Sequence, residues 1–197
     1  MDWQFACRTH RGNIRKINED SLLVEEGFPL LVVADGMGGH QAGDVASRML
    51  VESLDDLNLE DNSIYAAAAL LESSIKQCNG SLIDYSRSHL GGQPMGTTVV
   101  AMLADDSMGI CLWAGDSRLY CARDQRLEQI TVDHSYVAEL VSSGQISAEE
   151  AIDHPSSNII TRAVGAADKL LLDNRSFGLL HGDTFLLCSD GLYNEVS

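Results

Sequence analysis

The sequence predicts an α+β fold in which antiparallel β-sheets pack face to face and a helix pair covers an outer face. Three observations lead there. Strand-like segments come first, two helix-like segments follow, and strand-like segments then return, an order that belongs to α+β domains rather than to repeated βαβ units. The later strand candidates are joined by the short turn sequences Asp105-Asp106-Ser107 and Asp124-Gln125, which suit hairpins and are too short for a parallel crossover. The stretch from Leu30 to Ala34 is a short apolar run of the kind buried inside a sheet.

Taken in order, residues 3–8, 21–25 and 30–34 read as strands. Residues 41–57 read as a helix, with Ala42, Val45, Ala46, Met49, Leu50 and Leu54 on one face. A second helix is expected over 62–87, with Ile64, Ala68, Leu71, Ile75, Cys78 and Leu82 at helical spacing, before Gly91-Gly92 breaks it. Strand patterns return at 97–103, 109–113, 118–122 and 127–130. Residues 135–164 are loop-rich and partly helical, and Ser147 with Glu150 forms a capping-box pattern. Residues 171–177 and 184–189 are the last strand candidates. No low-complexity linker or repeat divides the 197 residues, so one domain is expected over 1–197.

Composition narrows the function. Asp and Glu total 29 against 13 Lys and Arg, a formal charge of −16, which opposes binding to nucleic acid. No apolar run is long enough for a membrane span, and the N-terminus lacks the basic and apolar regions of a signal peptide, so the expected location is the cytoplasm. The five cysteines are odd in number and form no C-x-x-C pair, consistent with reduced, mostly buried thiols. None is followed at the required spacing by the Arg that a thiol-dependent phosphatase uses to hold phosphate. Lys16, Lys76 and Lys169 are not preceded by the glycines of a phosphate-binding loop.

Four acidic clusters sit at strand ends or in loops: Arg15 to Asp20, Asp35-Gly36-Met37-Gly38-Gly39-His40, Gly115-Asp116-Ser117-Arg118, and Ser189-Asp190-Gly191. Strand ends deliver side chains to one rim of a sheet, so these acids can converge from distant parts of the chain. Carboxylates gathered in that way bind hard cations. Each cluster taken alone also reads as a turn, since Asp-Gly is common turn chemistry. Asp116 could instead pair with Arg118, although neighbours two apart at a strand start need not meet.

Together the clusters resemble the PPM, or type-2C, protein phosphatases. The resemblance rests on Arg15 to Asp20, Ala34 to His40, Met95-Gly96-Thr97-Thr98, Ala114 to Arg118, Asp133-His134-Ser135, Asn158 to Gly165, and Cys188 to Leu192, in family order over nearly the whole chain. Met37 resembles the bacterial branch. The resemblance implies a β-sandwich flanked by helix pairs, and hydrolysis of phosphoserine and phosphothreonine by a water activated in a binuclear Mn²⁺ or Mg²⁺ centre. It implies that Asp35 bridges both ions, that the Gly36 carbonyl binds one, and that Asp190 ligates the other. Glu19 and Asp20 would hold waters around the ions, Arg15 would grip the phosphate, and Asp116 with Asp190 would hold a third, weaker ion. Implied partners are phosphorylated proteins and a cognate serine/threonine kinase.

The pattern also departs from the family. Relatives continue past Asp190 into further helix, a Gly-x-Asp-Asn segment and a closing strand, so the resemblance implies a C-terminally truncated domain that lacks one carboxylate ligand and self-associates through an uncovered sheet. Met37 stands where animal relatives place a proton-donating His, and a thioether donates no proton. His40 lies nearby, and its simplest reading is packing at the helix start. Ser157 stands where many relatives carry a basic residue. The competing readings are a weak or inactive pseudophosphatase that binds phosphoproteins or a partner, and a metal-dependent nuclease, which the −16 charge disfavours.

Overall fold

The computed structural model describes residues 3–13, 15–38, 42–59 and 62–196. Gly39 and His40 of the second acidic cluster, and the expected helix start at residue 41, lie outside the described residues. A six-stranded antiparallel sheet is built from β1 (Asp20–Glu25), β2 (Leu30–Gly38), β3 (Met95–Thr97), β4 (Val99–Ala104), β5 (Met108–Ala114) and β8 (Asp173–Gly178). Its order is β1-β2-β4-β5-β8, with β3 continuing alongside β2. A three-stranded sheet has the order β7-β6-β9, from β6 (Arg118–Arg123), β7 (Arg126–Gln129) and β9 (Thr184–Cys188). Helices α1 (Ala42–Asp55) and α2 (Ile64–His89) lie on the large sheet.

Side-chain alternation sorts the strands into two cores. On β4, Val99, Ala101 and Leu103 face the helix pair, while Val100, Met102 and Ala104 face the small sheet. On β5, Ile110, Leu112 and Ala114 join the first core, and Cys111 and Trp113 the second. The helices meet the first core through Ala46, Leu50 and Leu54 of α1 and Leu71, Ile75 and Leu82 of α2, all essentially buried. Leu119 and Cys121 of β6 close the second core from the other side. A strand buried on both faces reads as an unbroken apolar run, which is why β4 stands out in the sequence, while β2 is fully buried only at alternate residues. The outer face of the small sheet leaves Leu127 and Leu186 exposed.

The local signals act as their chemistry requires. Asp124 and Gln125 both adopt positive φ, 50° and 61°, the backbone of a two-residue hairpin turn whose twist matches the strands. The Asp105 carboxylate accepts from the amides of Ser107 and Met108, both at 2.7 Å. Ser63 caps α2, and Ser147 and Glu150 form the capping box of α4 (Ala148–Ile152). Two expectations change. Residues 3–8 form no strand, because no backbone hydrogen bond ties them to a described strand; Trp3 still packs against the second core and stacks on Phe5. The strand expected over 97–103 is interrupted at Thr98, which separates β3 from β4.

Candidate active site

The acidic clusters come together at one end of the sandwich, and local packing explains how. Asp20 opens β1 directly opposite Asp35 on β2. The Glu19 carbonyl accepts from the Gly36 amide at 3.0 Å and from the Ser47 hydroxyl of α1 at 2.6 Å. Gly36 and Gly43 face each other so closely that a Cβ on Gly36 would overlap the Gly43 carbonyl. The glycine pair therefore lets the first turn of α1 press against the strand that carries Asp35. Asp190 begins the short helix α5 (Asp190–Tyr193) just after β9. Pairing of Arg118 with Cys188 brings that end beside the Gly115–Ser117 turn, and the Ser189 hydroxyl donates to Asp20 at 3.1 Å.

Asp116 lies in the turn between β5 and β6, where Gly115 has φ +113°. A Cβ there would come within 2.7 Å of the Thr98 side chain, so only glycine fits both the backbone and the space. Arg118 turns away from Asp116 and forms a forked pair with Asp133, at 3.0 and 2.7 Å. Its guanidinium also donates to the Tyr120 hydroxyl at 2.9 Å and lies 3.5 Å from the centre of the Tyr193 ring. Arg118 thus pairs with Asp133, 15 residues along, and not with Asp116.

Electrostatics mark this end as short of positive charge. Burial, and then the neighbouring charges of Asp20, Asp190 and Asp116, push the Asp35 carboxyl up to about 8. Burial and then the Asp190 charge push Asp116 up to about 6. Burial also raises Asp20, against the lowering effect of the Ser189 hydrogen bond. Among the described residues no salt bridge neutralises Asp20, Asp35, Asp116 or Asp190. Half-buried carboxylates without a cationic side chain fit a hard divalent cation with oxygen ligands. No three His, Cys, Asp or Glu side chains among the described residues close on one point as a finished cage. A cation here would need main-chain oxygen, such as that of Gly36, and water to complete its shell.

Arg15 stands at the outer rim, 77% exposed, with Nη1 3.9 Å from Glu19. An exposed pair of this kind contributes little to stability. Arg15→Ala should therefore leave Tm within about 2 °C of wild type and raise KM for a phosphopeptide about 10-fold or more. Thermal melting and steady-state kinetics check it; a large fall in Tm with KM intact would assign Arg15 to the fold.

Residues 133–164 form an irregular segment beside the site, with α3 (Tyr136–Ser142) and α4 within it. Its root is His134, which is buried and whose amide donates to the Gly115 carbonyl at 2.9 Å. The His134 Nδ1 accepts from the Gly115 amide at 3.2 Å, so in the neutral ring Nε2 carries the proton toward Asp173 at 3.2 Å, and Arg162 Nη1, which donates to that carboxylate at 2.7 Å, lies 3.2 Å from the same nitrogen. Burial lowers the imidazole's basicity, which suits this neutral form. The far end is fastened by paired hydrogen bonds between Thr97 and Val164, both 2.9 Å. Sequence reasoning assigns no individual role to Thr98, Ser189, Tyr193 or His134, although Thr98, His134 and Ser189 lie within the motifs that carry the resemblance.

Fold and site together are those of a metal-dependent protein phosphatase. The family profile for protein phosphatase 2C matches residues 9–197, and the chain belongs to that family. It is 43% identical over 195 residues to the serine/threonine phosphatase Stp of Listeria monocytogenes, covering 96% of this chain and 77% of that protein. Among solved structures, PppA of Pseudomonas aeruginosa, described as a key regulatory component of T6SS, superposes with a TM-score of 0.84 at 42% identity, over 93% of this chain and 75% of that one. The catalytic domain of the phosphatase PstP in complex with two manganese ions superposes with a TM-score of 0.84 at 35% identity, over 96% and 78%. No described helix is long and apolar enough to cross a membrane.

Proposed function

We propose that this chain removes phosphate from phosphoserine and phosphothreonine in proteins, using a pair of Mn²⁺ or Mg²⁺ ions held by Asp35, the Gly36 carbonyl and Asp190. The observation that carries the reading is the convergence of half-buried Asp20, Asp35, Asp116 and Asp190, none of which is paired with a cationic side chain among the described residues. Such ions, when bound, supply Lewis acidity, a more acidic water and charge neutralisation for the phosphoryl oxygens. Glu19 and Asp20 order water at the site, with Ser189 holding Asp20 in place. Arg15 approaches the phosphate from solvent and offers a planar fork to two of its oxygens. Asp116, with Asp190, would hold a third, weaker ion. Met37 donates no proton, so the leaving alkoxide takes its proton from solvent at the site. Residues 1–197 belong to one catalytic domain, a reading supported by the two cores sharing the six-stranded sheet. The physiological substrates are phosphoproteins of a cognate kinase in the cytoplasm.

The test is phosphate release from a phosphothreonine peptide with Mn²⁺, with Mg²⁺ and with a chelator. Turnover should require the divalent ion and return when Mn²⁺ is restored. A chain that binds Mn²⁺ and the peptide at saturating concentrations without turnover would be a phosphoprotein-binding module instead.

A further inference from the structure

We propose that Thr98 is a positioning residue that sets Asp35 and Asp116 against each other. The proposal rests on reading both acids as metal ligands. Val33 pairs with Val100 and Gly36 with Thr97, so a single register runs past the strand break and places Thr98 opposite Asp35. At that step the ladder is unusual. The Thr98 amide donates to the Asp35 carbonyl at 2.8 Å, but the Asp35 amide donates to the Thr98 hydroxyl at 2.9 Å, where a backbone carbonyl would ordinarily serve. The same hydroxyl lies 2.7 Å from the Ser117 hydroxyl, next to Asp116. The Thr97 hydroxyl braces the step, lying 2.9 Å from the Thr98 carbonyl and 3.1 Å from the Asp35 carbonyl.

One oxygen therefore touches both segments that carry these acids. A hydroxyl offers one proton and two lone pairs. Here it accepts from the Asp35 amide and exchanges a hydrogen bond with Ser117. Thr98 and Ser117 are both almost wholly buried, so water cannot substitute. The Thr98 methyl fills the space that Gly115 leaves free, which fixes the rotamer and aims the hydroxyl. Removing that oxygen leaves the Asp35 amide without its partner and frees the Asp116 turn to shift. A shift of about 1 Å at a reacting centre lowers turnover about 100-fold.

The experiment uses the full chain and Thr98→Val, Thr98→Ser and Ser117→Ala. Titration calorimetry with MnCl₂ measures metal affinity, and p-nitrophenyl phosphate hydrolysis gives kcat and KM. Amide NMR of the metal-free protein reports on both segments. Thr98→Val should raise the Mn²⁺ Kd about 10-fold and lower kcat at saturating Mn²⁺ about 10- to 100-fold, with KM within about 2-fold. Thr98→Ser should restore Kd and kcat to within about 3-fold of wild type, since it keeps the oxygen. A Thr98→Val protein that melts lower yet binds Mn²⁺ and turns over normally would overturn the proposal. So would a Thr98→Ser protein as impaired as Thr98→Val. Should Thr98→Val fail to fold, Ser117→Ala decides, and an unchanged Mn²⁺ Kd there overturns the proposal. In the metal-free protein the Asp35 and Asp116 amide signals should both move in Thr98→Val or, failing that, in Ser117→Ala. A wild-type chain without Mn²⁺ affinity would refute the ligand assignment alone, whereas an unmoved Asp116 signal would refute the positioning.

Discussion

Asp35→Asn is expected to abolish Mn²⁺ binding and lower turnover by about 10³-fold or more, while making the metal-free protein more stable. The two effects share a cause. In the metal-free fold the Asp35 carboxyl is pushed up to about 8 and Asp116 to about 6, both above the ordinary carboxylate range. The folded state thus holds protons that the unfolded chain releases. The stability from these groups is fully present below about pH 4 and is lost as pH rises through the folded values, so metal-free stability falls between about pH 4 and pH 8. An amide in place of Asp35 removes one buried negative charge and relieves Asp20, Asp116 and Asp190. The gain at pH 8 should be on the order of 2 kcal/mol, or a rise in Tm of about 4–8 °C for a chain of this size. Scanning calorimetry with a chelator at pH 5 and pH 8 checks it. Wild type should melt lower at pH 8, and the variant should show a shallower dependence. A variant less stable than wild type at both pH values would mean that Asp35 serves the fold rather than a cation.

Asp133→Ala is expected to destabilise the fold by about 3 kcal/mol, because it leaves a half-buried guanidinium without its partner. Asp133 accepts from Nε and Nη2 of Arg118 and also from Gln129 at 2.9 Å. Arg118 stays charged whatever its surroundings. Tm should fall by about 6–12 °C. Activity should fall further than Tm implies when assayed well below the melting range, since the next residue, His134, holds the Gly115 turn that presents Asp116. Asp133→Asn keeps part of the hydrogen bonding and should cost less than Asp133→Ala. Melting curves of both, with kcat/KM at 20 °C below the lower Tm, form the test. An Asp133→Ala protein that melts like wild type would show that Arg118 finds compensation elsewhere.

Much of this fold can be read before folding. The doubly buried strands carry apolar runs, the two long helices show their inner faces at helical spacing, and the Asp105 turn carries a side chain that takes up its own backbone amides; Asp124-Gln125 turns the chain with Gln at a positive φ that favours glycine. The four acidic clusters and Arg15 also stand out, because Asp-Gly and Gly-Gly steps at strand ends are chemically distinctive. Harder to read was the role of residues 3–8. Their strand-like alternation is real, but a strand exists only where a neighbour takes its hydrogen bonds. The break at Thr98 was equally hidden, since its cause is a side-chain hydroxyl that replaces a ladder carbonyl.

The sequence by itself determined the two long helices and most of the strands, which face of each is apolar, and which acids lie at strand ends. These are local matters of periodicity, propensity and turn chemistry. Only the tertiary structure decided that Arg118 pairs with Asp133, that Ser189 reaches Asp20, and that one threonine touches both the Asp35 strand and the Asp116 turn. Those contacts join residues far apart in the chain, through pairings whose register puts each side chain on one face of a sheet or the other. A slip of one residue would reverse every face, and the register is held by the packing of two cores at once rather than by any short stretch of sequence.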